Sequence, residues 1–133
     1  MCADIAVASE ARPAAYPGLA GKRILVVEDE PTVSVDYLYD LKEVGARAEA
    51  FLPTNALALA FLRSHPVDAV ILDYRLRDGT SEPLMRWLRD HDVPFIVVSG
   101  WVEKIRARTS AGSVLEKPVA PHQLWQALSA VIN

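Results

Sequence analysis

The chain has 133 residues, 51% of them apolar and 23% charged, the balance of a single globular domain large enough to bury a core. With a formal charge of -3 and its Lys and Arg scattered, it carries no basic footprint, so direct nucleic-acid binding is not expected. The one cysteine, Cys2, excludes a disulfide framework and a thiolate metal site, and no stretch approaches the roughly 18 apolar residues of a membrane span. The N-terminus lacks the basic-then-apolar order of a secretory signal, and a reducing, cytoplasmic setting is expected.

Residues 1–20 are rich in Ala, carry Pro13, Pro17 and Gly18, and show no sustained periodicity. They read as a flexible tail, with an ordered domain over 21–133 that begins near Lys22. Arg23 to Val27 is a continuous apolar run, the pattern of a strand covered on both faces, and Glu28 and Asp29 follow it directly. A helix is predicted at about 30–44: Pro31 suits its first turn and Gly45 the position just past its end. Arg47 to Phe51 is a weaker strand candidate. A helix at about 54–64 gathers Ala56, Leu59, Ala60 and Leu62.

Ala69 to Leu72 repeats the buried-strand pattern and runs into Asp73; a helix follows at about 82–91. Phe95 to Val98 repeats it again and runs into Ser99. A helix at 102–108 is the weakest element, because Gly100, Thr109, Ser110 and Gly112 disfavour a helix interior, so a shortened or disordered fourth helix is expected. Ser113 to Leu115 is the last strand candidate, with Lys117 just beyond it. The last helix, 121–132, places Leu124, Leu128 and Val131 at i, i+4 and i+7.

Five alternating strand–helix units imply a doubly wound α/β fold with a five-stranded parallel sheet. Ligands in such folds sit beyond the carboxyl ends of the strands. Glu28, Asp29, Asp73, Ser99 and Lys117 all fall there. Taken singly they have ordinary explanations: a Glu-Asp pair caps a turn, a Ser caps a helix, and a Lys before Pro is solvated. Their coincidence at successive strand ends argues for one site. Converging carboxylates repel unless a cation joins them, and an oxygen-only set favours a hard ion such as Mg²⁺. Asp29 and Asp73 would hold it, with Glu28 acting through water. Carboxylates are nucleophiles toward phosphoryl groups, so metal, ammonium and hydroxyl together make a coherent phosphoryl-transfer site.

These residues resemble the response-regulator receiver (CheY-like) family of two-component signalling, over about residues 22–133. Ile24 to Glu30 is similar to the family's opening strand and acidic pair. Asp73, within Val70 to Leu76, falls where the family carries its phosphorylated aspartate. Ser99 matches its Ser/Thr, and Lys117-Pro118 its lysine, whose following peptide bond is typically cis. The resemblance implies a flavodoxin-like strand order 2-1-3-4-5 and the backbone carbonyl of Arg75 as a further metal ligand. It implies phosphorylation of Asp73 by a histidine kinase or a histidine phosphotransfer protein, and a downstream protein target whose binding is switched. The chain would then catalyse only its own phosphotransfer and slow dephosphorylation. With no output domain after its last helix, it would act through another protein, as a single-domain regulator or a phosphorelay shuttle.

Two features depart from the family pattern. The aromatic switch residue normally stands three before the lysine, where this chain has Val114. Ser99 and Lys117 are also close together in sequence. Pro94 to Trp101 resembles the FATGUY subgroup of stand-alone receivers, which lacks the same aromatic and is connected with kinases of the HWE and related types and with general stress signalling. Independently of that likeness, a phosphoryl group on Asp73 is expected to draw Ser99 and Lys117 inward, with Gly100 letting the backbone follow and Trp101, a large ring two residues from Ser99, taking the missing aromatic's role. Trp87 and Trp125 are expected to be half exposed on their helices, and His65, His91 and His122 to have no catalytic role.

Rival readings are a receiver-like interaction module that is never phosphorylated, an Mg²⁺-dependent phosphatase and a nucleotide-binding module. A haloacid-dehalogenase-type phosphatase would need a second Asp where Arg75 stands. A nucleotide-binding module would need a glycine-rich loop after the first strand, and none follows it.

Overall fold

The computed structural model describes residues 13–100 and 113–132. The weakly supported helix at 102–108 and the proposed switch residue Trp101 lie outside these residues.

Continuous apolar runs form strands because parallel pairing buries both of their faces. β1 (Arg23–Val27) pairs with β2 (Arg47–Leu52) and β3 (Ala69–Asp73); β3 pairs with β6 (Phe95–Ser99), and β6 with β7 (Ser113–Glu116). All four pairings are parallel, giving the order β2-β1-β3-β6-β7. A short antiparallel hairpin, β4 (Arg75–Leu76) with β5 (Gly79–Thr80), projects from the end of β3 and stands outside the sheet. Setting the hairpin aside, the order is the expected 2-1-3-4-5.

Because side chains alternate along a strand, each run feeds two cores. Ile24, Val26, Ile71, Ile96 and Val98 meet Tyr37 and Leu41 of α1 (Pro31–Glu43) and Leu124, Trp125 and Leu128 of α4 (Pro121–Ile132). Leu25, Val27, Val70, Leu72 and Val97 meet Ala58 and Leu62 of α2 (Asn55–Leu62) and Leu84, Met85 and Leu88 of α3 (Glu82–Asp90). Helices therefore cover both faces. The local signals hold: Pro31 occupies the first turn of α1, and Gly45 takes the φ of +76° that stops it. Thr54 caps α2, its hydroxyl accepting from Leu57 N at 3.1 Å.

Two expectations are corrected. The tail was expected to be free up to about residue 20, yet Pro13–Ala15 and Pro17–Leu19 form short 3-10 turns and Leu19 is fully buried. The Tyr16 ring lies 5.9 Å from that of Trp125, so this segment covers the α1/α4 face. Apolar surface on α4 explains the packing: covering it is favourable by about 25 cal/mol per Å². For the same reason Trp125 is only 1% exposed, not half exposed, and its indole Nε1 donates to the Asp40 carbonyl at 2.8 Å. Trp87 is half-buried as expected and stacks on His91 at 3.8 Å.

Candidate functional site

Parallel pairing brings the carboxyl ends of β1, β3, β6 and β7 to one rim. Glu28 and Asp29 leave β1, Asp73 and Ser99 are the last residues of β3 and β6, and Lys117 follows β7. Backbone bonds extend the ladder past the strands and fix these ends: Glu28 N donates to Leu52 O at 3.0 Å, Tyr74 N to Val98 O at 3.0 Å and Lys117 N to Ser99 O at 3.0 Å. The Lys117-Pro118 bond is cis.

The predicted acidic residues converge. Carboxylate oxygens of Glu28, Asp29 and Asp73 all lie within 4.8 Å of one another. Lys117 Nζ donates to Asp73 Oδ2 at 3.1 Å and pairs with Glu28 Oε1 at 3.5 Å. Glu28, Asp73 and Ser99 are buried, whereas Asp29 is partly open. Burial, followed by the charge of Asp73, pushes the Glu28 carboxyl up to about 7, with Lys117 acting in the opposite direction. Burial also works to lower the Lys117 ammonium, but its bond to Asp73 and the charge of Glu28 outweigh it and the group is raised.

The Glu28 carboxylate tests whether a cation fits. Its Oε2 accepts from Glu30 N at 3.3 Å, but buried Oε1 accepts no hydrogen bond among the described residues, with the Lys117 ammonium only at ion-pair distance. A buried carboxylate oxygen left in that state is costly, and a hard divalent ion amid three carboxylates would relieve it. The donor set is all oxygen, with no His or Cys, as Mg²⁺ prefers.

The other predicted positions are placed as follows. Arg75, exposed, opens the hairpin two residues after Asp73. Gly100 is exposed, and a Cβ there would meet nothing within 4 Å. Val114 is buried at 8% exposure in the core on the α2/α3 face, so the position of the usual aromatic switch holds a small side chain packed inside. Among the described residues, His65 stacks on Phe61 at 4.1 Å and His91 on Trp87, both exposed at helix ends and away from the strand-end site.

Sequence reasoning missed the residues that hold the loop after Asp73. The Asp78 carboxylate accepts from Asn55 N at 2.9 Å, Asn55 Nδ2 at 3.2 Å and Ala56 N at 3.2 Å. Arg77 reaches the Asp29 carbonyl at 3.4 Å, and the Tyr74 hydroxyl donates to Glu82. The Asp78-Gly79 turn signal was present, but nothing local pointed to its partner.

No family model and no curated protein matches the chain. Solved structures do. SdrG from Sphingomonas melonis Fr1 is 31% identical, with a TM-score of 0.74, the match covering 85% of this chain and 98% of that one. The receiver domain of a sensor histidine kinase from Pseudomonas aeruginosa, with a magnesium ion coordinated in its active-site cleft, is 25% identical, with a TM-score of 0.75 and the same coverage, 85% and 98%. The chain belongs to the receiver-domain family. The receiver domain of the Erythrobacter litoralis PhyR response regulator, 20% identical with a TM-score of 0.77 over 86% of this chain and 92% of that one, shares the receiver fold. Glu28, Asp29, Asp73, Ser99 and Lys117 all stand at the carboxyl-end rim of its sheet. Among the described residues no helix is long and apolar enough to cross a membrane.

Proposed function

We propose that this receiver takes a phosphoryl group onto Asp73 from a phosphohistidine donor and that the phosphorylated form changes its binding to a protein partner. The observation that carries this reading is the Asp73 carboxylate, buried, bonded to Lys117 Nζ at 3.1 Å and grouped with Glu28 and Asp29. An Asp73 oxygen forms the new bond to phosphorus as the phosphorus–nitrogen bond of the donor breaks. The electron pair of that bond leaves on the imidazole nitrogen, which takes a proton from water.

Glu28, Asp29 and Asp73, with the Arg75 carbonyl, would hold Mg²⁺, which when bound offsets charge on the transferring group. Lys117 stands ready to pair with an oxygen of the phosphoryl group, and Ser99, at the end of the adjacent strand, offers its hydroxyl to another. The protein is not an enzyme in this reading, since it turns over only its own phosphoryl bond. The donor would be a histidine kinase or histidine phosphotransfer protein.

Phosphotransfer from a panel of autophosphorylated histidine kinases tests the proposal, with intact-mass detection and Asp73→Asn as control. The wild type should gain one phosphoryl group in the presence of Mg²⁺ and the variant none. Equal labelling of the variant would refute Asp73 as the acceptor, and no labelling by any donor would favour a receiver that works unphosphorylated.

A further inference from the structure

The loop that follows the phosphoacceptor is not free. It folds as the β4–β5 hairpin, and its turn inserts Asp78 against the first turn of α2, a helix on a different strand–helix unit. There the Asp78 carboxylate accepts the first two backbone N–H groups of α2, those of Asn55 and Ala56, where helix-end N–H groups lack partners of their own and the helix dipole favours an anion. Asn55 completes the joint from the other side. It is buried, and its Nδ2 donates both to Asp78 Oδ1 at 3.2 Å and to the Thr80 carbonyl at 2.9 Å. Both partners are acceptors, which fixes the amide nitrogen toward the loop. One residue earlier, Arg77 N donates to the Pro53 carbonyl at 3.4 Å, and the Arg77 side chain reaches the Asp29 carbonyl. The hairpin is thus tied to the ends of β1 and β2 while its first residue, Arg75, stands two positions from Asp73.

We propose that Asp78 and Asn55 are positioning residues that clamp the 74–81 loop across the strand-end rim and so set the affinity of the acidic site for its divalent cation. This rests on the proposed metal-assisted reading of the Asp73 site. The physical reason is the spacing of the clamp. A loop held at Asp78 and Thr80 leaves few residues between Asp73 and the anchor in which the chain can move, so the backbone at Arg75 is held before any cation arrives. Without the anchor, cation binding would also have to order the loop, and the conformational entropy lost in doing so would weaken binding. Groups that orient metal ligands in this indirect way commonly alter metal affinity about 10–100-fold when removed.

Four proteins test it: the wild type, Asp78→Ala, Asn55→Ala and Thr54→Ala. Thr54→Ala weakens the same helix end through loss of the Leu57 N–H bond but does not touch the loop. Two quantities are measured: amide hydrogen exchange of residues 74–81 in metal-free protein, and the Mg²⁺ dissociation constant by calorimetric titration with MgCl₂. Asp78→Ala should abolish the slow exchange of the loop and raise the dissociation constant at least about tenfold. Asn55→Ala should do so more weakly, and Asp78→Asn should recover part of the loss because its amide oxygen can still accept one N–H. Thr54→Ala should leave both quantities at wild-type values. Unchanged Mg²⁺ affinity in a folded Asp78→Ala, or equal weakening by Thr54→Ala, would overturn the clamp. Should Asp78→Ala not fold, the comparison of Asn55→Ala with Thr54→Ala decides by the same criterion. Absence of Mg²⁺ uptake by the wild type would refute the metal reading instead, and loop exchange would still report on the clamp.

Discussion

Asp40 sits on α1 where folding disfavours its charge. Burial above all, with Glu43 and Asp36 adding repulsion, raises its carboxyl from 3.8 to about 6. The folded protein therefore binds a proton more tightly than the unfolded chain, so the stability of the wild type should fall as pH rises from near 3.8 through about 6. Raising the carboxyl from 3.8 to about 6 corresponds to an upper bound of about 3 kcal/mol. Asp40 is partly open to water, and solvent screening brings the expected cost at neutral pH to about 1–2 kcal/mol. Asp40→Asn removes that cost while keeping the backbone carbonyl that accepts from Trp125 Nε1. Urea unfolding at a series of pH values should show the variant more stable by about 1–2 kcal/mol at pH 7.5, with the gain shrinking toward zero as pH falls through 6 to the ordinary carboxylate range. A gain that is the same at every pH would show that it comes from packing or helix propensity. No gain at pH 7.5 would mean the charge is well solvated, and the electrostatic reasoning would fail.

Two further outcomes follow from the packing and from the opposite end of the sheet. Leu19→Ala, at a fully buried position, should cost about 2–5 kcal/mol in chemical denaturation, whereas a change below about 0.5 kcal/mol would return the segment to a free tail. Asp68 is held below its usual value chiefly by the Arg23 backbone N–H, at 2.7 Å, and then by the Arg23 guanidinium, so its contribution is present above about 3.8 and is lost as pH falls through its lowered value. Asp68→Asn should therefore lose stability at pH 7, by less than about 1 kcal/mol because solvent screens this partly exposed pair, and progressively less in acid; a pH-independent loss in the same unfolding series would argue against the ionic origin.

The runs Arg23–Val27, Ala69–Asp73 and Phe95–Ser99 were legible because a parallel strand must be apolar on both faces, a requirement written into consecutive residues. The site was legible for a related reason. In a doubly wound sheet the residue after each strand lands on a common rim, so Glu28, Asp29, Asp73, Ser99 and Lys117 could be assigned to one place before any distance was known. Helix limits followed from local chemistry as well, Pro31 starting α1 and Gly45 ending it.

The rest depended on partners distant in sequence. Tyr16 and Leu19 have no periodicity of their own, and they are ordered because α4 supplies Trp125 and Leu128 for them to cover. Trp125 could be recognised as helical, but only the nearby Asp40 carbonyl, 85 positions earlier, lets its indole N–H be buried with a partner. Asp78 and Asn55 are 23 residues apart, one in the β4–β5 turn and one opening α2, and their approach is decided by the β2–β1–β3 pairing. Local sequence determines which backbone shape a segment favours and what chemistry it carries. Which polar group satisfies another across the fold is settled only when packing has brought the two segments together, because a hydrogen bond is made over about 3 Å and carries no trace along the chain.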